Sequence, residues 1–566
     1  MPQKKNNSAA MSPGERVRST YGVNRSITGE YDAALAARCV NGTFVGRADG
    51  DITVFRGIPF AKPPVGGLRW KRPAPVEPDS GVYEAYFNGK SPIQTEWHTE
   101  QASYYPQGED CLYLNVWVNR ACDVKDKTVM VFLHGGAYGW GGTADPLYDG
   151  ANFVRANPDI VLVTVAYRTG LMGFVDLSYF AGGEEYPDAP NLGLLDQIEA
   201  LRWVRGNIRS FGGDPGNVTI FGESAGGGSV SLLPLIPEAK GLFRRVIAES
   251  GSVALTFSKK ECREFTRRLM KESGIRSMKM LSALTESQLR SLNEKLNIYN
   301  NYPQRDGRLI PEDPYTPYEN GTTADVDMLI GTNADEMNYW VSEIGGIVPY
   351  RFSIPVKFEN DYRTLSRVAK RRVDLFMKLQ KGQKSHSIWA MSEFYDEMMF
   401  RLPAVKQASE HAKNGGKAFM YYWTQPSTNS FCDACHAVEL AYVFGNLDET
   451  IYTGERGDEK LCRTVMEMWT SFARTGDPSV EGLEWLPYET ENRFTMELCT
   501  EPKLRKDILP EQRALLTPLL RYKINPSYAT LDYNVPFVRK TAGIIALGVT
   551  SAIALGISAY KFLKSE

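Results

Sequence analysis

An α/β chain with a central, mostly parallel sheet flanked by helices is what the sequence predicts, and three observations lead there. KTVMVFLHGG (127–136) and DIVLVTVAYR (159–168) are apolar, β-branched runs that each end in a loop. Runs of that kind are strands covered on both faces. NLGLLDQIEALRWVRGNI (191–208) carries helical spacing and leads through FGGDPGN to a further strand, VTIFG (218–222). Strand, helix and strand in that rhythm build a doubly wound sheet. The 566 residues are 43% hydrophobic and 23% charged, the balance of a globular protein, so disorder is excluded for the bulk of the chain. At about 150 residues per domain the length suits three or four domains, or one large α/β domain. Lys plus Arg total 65 and Asp plus Glu 67, a net charge of −2, so no global field draws the chain to nucleic acid.

The two ends differ from the body. The first thirty residues or so are polar and rich in Ser, Asn and Arg, the composition of a mobile arm, and they lack the apolar run of a secretory signal. Near the other end, TAGIIALGVTSAIALGISAY (541–560) is free of charge, with Arg539 and Lys540 before it and Lys561 and Lys564 behind. That length predicts a transmembrane helix, a single-pass tail anchor with the body of the chain on the cytoplasmic side. Gly548, Ala552 and Gly556 recur every fourth residue, a small-residue stripe that would let two such helices pack closely as a homodimer. Between about 260 and 390 the strand–helix rhythm gives way to Lys/Arg/Glu-rich helical patterning, expected as helical insertions capping the sheet. The expected organisation is a polar arm over 1–35, an α/β domain over 36–525, a linker over 526–540, the membrane helix over 541–560 and a charged tail over 561–566.

The chemistry concentrates after the third strand. Gly222-Glu223-Ser224-Ala225-Gly226 is a G-x-S-x-G between a strand and a helix-forming run. Such a turn must be sharp to expose Ser224, and glycine on either side removes Cβ clashes. The following helix aims its N-terminal amides at the place where an oxyanion would form. The loop after the 127–133 run is His134-Gly135-Gly136-Ala137-Tyr138-Gly139-Trp140. Its small residues bare N–H groups, the second half of an oxyanion hole in a G-x-S-x-G hydrolase. Gly136, Ala137 and Ala225 are the expected donors. No Gly-Lys-Ser/Thr follows those glycines, which argues against a phosphate loop.

The chain resembles the type-B carboxylesterase family of α/β-hydrolases, which also holds cholinesterases and catalytically silent adhesion proteins. The resemblance runs from about residue 41 to 522 and rests on FRGIPFAKPPVGGLRWKRP (55–73), GEDCLYLNVWV (108–118), AYRTGLMGF, NLGLLDQ, FGGDPGNVTIFGESAGG and WTSFARTGDP (469–478). It implies an α/β-hydrolase fold and a chain order of nucleophile, acid and histidine. Only His386, His411 and His436 follow Ser224. His386 and His411 sit in surface-like contexts, and the family's pattern falls on His436 in CDACHAVELAYVFGN, so His436 is the expected base. In LIGTNADEMNYW (329–340) the pattern falls on Glu336 as the acid that orients the base, with Asp335 as fallback. The resemblance also suggests Ser250 as a hydroxyl near the triad and Glu223 as a buried carboxylate beside the nucleophile. No metal and no organic cofactor is implied.

The sequence departs from the family pattern in four places, one of them the acyl-pocket region around Tyr302 to Asp306. Cys432-Asp433-Ala434-Cys435-His436 spells C-x-x-C-H, alone a haem-attachment pattern, but the same histidine is claimed by the triad. Two packed small residues is the plainer reading, and a reversible Cys432–Cys435 disulfide the alternative. Cys111 stands where extracellular relatives carry half of a loop disulfide, and its expected partner is missing, in keeping with a reducing compartment. Gln101 stands at the position of the family's choline-site tryptophan, with Trp97 out of register, which disfavours choline esters. The leading expectation is a membrane-tethered serine carboxylesterase for small-molecule or lipid-like esters, and the rival is a silent adhesion or scaffold homologue.

Overall fold

The structure is a computed structural model that describes residues 13–94, 105–296, 302–342, 348–381 and 387–522. Its central sheet has eleven strands: β1 (Arg47–Asp49), β2 (Ile52–Pro59), β3 (Tyr113–Asn119), β4 (Lys127–Leu133), β5 (Ile160–Val165), β6 (Gly213–Glu223), β7 (Arg245–Glu249), β8 (Asp327–Asn333), β9 (Ala418–Trp423), β10 (Phe494–Leu498) and β11 (Lys503–Lys506). Their order is β11-β10-β9-β8-β7-β6-β4-β5-β3-β2-β1. From β5 to β10 every pairing is parallel, and the strands outside that run pair antiparallel.

The uninterrupted apolar runs follow from burial on both faces. Along β4, Val129, Val131 and Leu133 join one core cluster, and Met130 and Phe132 join the other across the sheet. Along β5, Val161, Val163 and Val165 alternate with Ile160 and Leu162 in the same way. Side chains of period two serve two layers of helices, each large side chain contributing about 1.5–3 kcal/mol on burial. Helix α1 (Leu192–Asn207) covers one face, and almost all of it is buried. It is fixed by Asp196, whose carboxylate takes a bidentate ion pair from Arg168 at 2.6 and 2.8 Å. Helix α2 (Ala225–Leu232) follows β6, and α3 (Glu459–Thr475) lays Leu461, Val465, Met468, Trp469 and Phe472 on the opposite face. The N-cap of α3 is the Asp458 carboxylate, and Gly476 ends it in the left-handed conformation.

The expected helical insertions are present as Lys259–Ser273, Glu286–Leu296, Val348–Thr364, Arg367–Lys381 and Ser387–Tyr395. Strand β8 runs between the second and third of them, as LIGTNADE foretells. The Val348–Tyr395 helices close a third apolar cluster of their own around Phe376, Phe394 and Tyr395.

From Pro13 the chain lies on the body, and Val17 of the short helix Pro13–Ser19 is fully covered. The membrane assignments need correction. Among the described residues no helix is long and apolar enough to cross a membrane. Val348–Thr364 and Glu459–Thr475 have 17 residues each and carry charges, against the roughly 20 apolar residues a span requires. The transmembrane helix in the fold class, the tail anchor, the membrane as a partner and the cytoplasmic placement inferred from it are therefore withdrawn. Residues 541–560, with their small-residue stripe, lie outside the described residues.

Candidate active site

Chain direction across the sheet reverses between β4 and β6. The connection after β4 leads to β5 on one side, and the one after β6 leads to β7 on the other. The carboxyl ends of the two strands thus open a crevice, the place where α/β sheets bind ligands. Both sequence motifs sit there. At the end of β6 the backbone turns at Ser224 with φ 58° and ψ −117°, and α2 begins at the next residue. Backbone held in such a region costs of order 1–3 kcal/mol and persists only when its surroundings enforce it. Enforcement is visible: Ser224 N–H donates to the Glu249 carbonyl at 2.8 Å, and a Cβ at position 226 would lie 1.9 Å from the Leu133 carbonyl oxygen. Glycine at 226 is what lets the turn pack against β4.

The loop after β4 approaches from the other side. Gly136 has φ 102° and Ala137 φ 49°, and a Cβ on Gly136 would meet the Trp140 carbonyl oxygen at 2.3 Å. His134 anchors the loop from beneath. Its Nδ1 lies 2.8 Å from the Gly135 carbonyl, its ring stacks on Tyr167 at 4.3 Å, and burial pushes its pKa down to about 4. Ala225 is the first residue of α2, where N–H groups have no intrahelical acceptor. Gly136, Ala137 and Ser224 all line one cavity of about 80 Å³.

His436 lines the same cavity. Its Nδ1 lies 2.5 Å from Glu336 Oε2, which makes Nδ1 the nitrogen that donates to the carboxylate. The Glu336 side chain is fully buried, and its Oε1 accepts the Asn333 N–H at 2.8 Å. Trp340 and Phe400 flank the imidazole, with centroids 4.9 and 5.1 Å away. Nε2 lies 3.0 Å from Glu223 Oε1 without hydrogen-bond alignment, so this nitrogen has no hydrogen-bond partner. No hydrogen bond joins it to Ser224. Asp335, the fallback acid, accepts the Ala434 N–H at 3.4 Å, and Glu336 is the carboxylate at the imidazole.

Three more carboxyl groups lie buried nearby. Burial, with the Glu336 and Glu249 charges added, raises Glu223 well above the usual carboxylate range. Burial pushes Glu249 up to about 8 although Trp469 Nε1 donates to it at 2.5 Å. Glu439 is raised by burial and by its acidic neighbours, and Asn333 Nδ2 donates to it. Ser250 is buried at φ 48° with its hydroxyl unpartnered. Sequence reasoning found Glu223 and Ser250 and missed Glu249 and Glu439. The available signal was an acid inside an apolar stretch, in VIAES and in HAVEL, where ionisable side chains are rare unless a site needs them. It also missed Tyr105, Tyr148, Tyr339 and Tyr452, which with Trp140 and Trp340 make the cavity aromatic. Three of those four tyrosines stand outside every motif that carries chemistry.

The other histidines and the cysteines fall into place. His411, read as surface-like, is buried, with its ring nitrogens on Thr323 and the Val326 carbonyl at 3.1 and 3.0 Å. His98, His386, Trp97 and Gln101 lie outside the described residues. Cys432, Cys435 and Cys111 are buried and belong to no disulfide, in line with packed small residues at the C-x-x-C-H.

A mostly parallel sheet with a strained serine turn at its switch point is the α/β-hydrolase arrangement. The chain belongs to the carboxylesterase family, whose model matches residues 35–515. Para-nitrobenzyl esterase of Bacillus subtilis is 36% identical over 497 residues, covering 84% of this chain and 97% of the relative. A medium-chain fatty acyl-CoA hydrolase precursor of Anas platyrhynchos is 32% identical, covering 80% and 85%. The crystal structure of a Geobacillus stearothermophilus carboxylesterase superposes with a TM-score of 0.76 at 32% identity, covering 85% of this chain and 99% of that one. Family and fold together make the chain a serine carboxylic ester hydrolase.

Proposed function

We propose that the chain hydrolyses small uncharged carboxylic esters through an acyl-enzyme on Ser224. The observation that carries this reading is the 2.5 Å contact between His436 Nδ1 and Glu336 in the cavity that Ser224 lines. A serine hydroxyl needs a base, and the base needs a buried group to hold its tautomer. Ser224 Oγ attacks the ester carbonyl carbon as His436 Nε2 takes its proton. The carbonyl oxygen, now an oxyanion, receives the N–H groups of Gly136, Ala137 and Ala225. His436 passes the proton to the leaving alcohol, and Glu336 stabilises the transient imidazolium. Water then repeats the attack on the acyl-enzyme and frees the acid and Ser224. Glu223 lines the same cavity as a buried carboxyl held well above the usual carboxylate range, and Ser250 is buried with its hydroxyl unpartnered.

Substrate size and polarity follow from the cavity. About 80 Å³ enclosed by aromatic rings suits a short, uncharged acyl or alcohol group. The relatives named for para-nitrobenzyl ester and fatty acyl-CoA hydrolysis support ester-type substrates in general. Hydrolysis of p-nitrophenyl acetate by the wild type is the test, with Ser224→Ala as control. The substitution should lower kcat by about 10⁴-fold or more. A folded wild-type protein without turnover would overturn the proposal.

A further inference from the structure

The helix Pro13–Ser19 plays no part in the chemistry above, yet it touches two walls of the cavity from behind. Val17 packs with Tyr105 and Ala144 in a small cluster of its own, with Tyr21 at its edge. Tyr105 lines the cavity and donates its hydroxyl to Asp145, also a lining residue, at 3.0 Å. Arg16 Nη2 reaches Glu449 Oε2 at 3.0 Å. Glu449 is largely buried and belongs to the segment that carries the lining residue Tyr452. That segment is tied to the first wall by Asn446, whose Nδ2 donates to the Leu147 and Asp149 carbonyls at 2.9 Å each. The helix is itself held at its far end, where Asn88 N–H donates to the Thr20 carbonyl at 2.8 Å.

We infer that this N-terminal helix is a strap that sets ester size selection, holding the Tyr105–Asp145 wall and the 446–452 segment together across the cavity. The inference rests on the esterase reading of Ser224 and extends it to specificity. A tight aromatic cavity excludes long chains as long as its walls cannot part, and the two strap contacts oppose their parting. Neither Arg16 nor Val17 lines the cavity, so loosening them leaves the reacting groups in place.

The full-length chain carrying Arg16→Ala, and separately Val17→Asp, is assayed on p-nitrophenyl acetate and p-nitrophenyl octanoate. The expected result is an octanoate-to-acetate ratio of kcat/KM raised at least about tenfold, since a methylene in a hydrophobic pocket is worth that order of discrimination. The acetate rate should stay within about twofold. The charge swap Arg16→Glu with Glu449→Arg should return the ratio toward wild type, which separates the ion pair from general loosening. An unchanged ratio in Arg16→Ala of wild-type Tm would overturn the strap, as would equal loss on both esters. A wild type inactive on both esters would overturn the esterase reading and the strap together, and the missing wild-type rate tells that case apart.

Discussion

At Ser224 the backbone holds φ 58° and ψ −117°, a conformation that few side-chain-bearing residues adopt unless the surrounding structure compels it. Compulsion comes from both neighbours in space: Gly226 presses on the end of β4, and the Glu249 carbonyl takes the Ser224 N–H. His436 is held just as tightly, with Glu336 on Nδ1 and two aromatic rings beside it. In the proposed mechanism, replacing Glu336 by Gln keeps the shape and removes the charge that holds the tautomer and stabilises the imidazolium. We expect kcat on p-nitrophenyl acetate to fall by about 10⁴-fold with Tm close to wild type. If Asp335→Asn were the silent variant and Glu336→Gln the active one, the acid would have been assigned to the wrong residue.

At the level of elements, the joint between β5 and α1 depends on one buried ion pair. Arg168 follows β5, and Asp196 lies one turn into α1. Besides the bidentate contact, Asp196 accepts the Arg168 N–H at 3.0 Å, and Arg168 Nη1 donates to the Lys71 carbonyl at 2.8 Å. Both side chains are shut off from water. Removing one partner strands a charge in the interior, so Arg168→Met should destabilise by about 3–5 kcal/mol. Replacing both, as Arg168→Met with Asp196→Leu, should recover a large part of that loss. Chemical denaturation of Arg168→Met, Asp196→Leu and the double variant measures the coupling directly, and equal instability of the single and double variants would refute it.

For the whole molecule, the buried carboxyl groups set how stability depends on pH. Glu249 titrates near 8 in the folded chain and near 4.3 in an unfolded one. Between those values the folded state keeps a proton that the unfolded state has lost. Stability from this group is therefore fully present below about pH 4 and is lost as pH rises toward 8, by up to about 1.4 kcal/mol per pH unit. Glu223 and Glu439, raised by the same burial, act in the same direction. Glu249→Gln still accepts the Trp469 N–H and no longer titrates. Its Tm should gain on wild type steadily from pH 5 to pH 8, and parallel Tm–pH curves would refute the assignment.

The sequence by itself determined the strands with no polar face, the helix between them and the serine turn, because these depend on local pattern: period-two burial, helical spacing and glycine beside a sharp bend. Ser224 and the glycine loop after β4 were legible for that reason. His436 and Glu336 became legible through a motif resemblance, since nothing local marks a histidine or an acid as meeting a serine more than a hundred residues earlier. Tertiary structure brought the Glu336 carboxylate to the imidazole and turned Asp335 to the Ala434 N–H. It buried His411, and it set Glu249 and Glu439 in the interior. It also brought Tyr105, Tyr148 and Tyr452 into one cavity and laid Val17 against its wall. Each of those outcomes depends on which distant segments become neighbours once the sheet has ordered its strands, and the spacing of residues along the chain does not encode that distance.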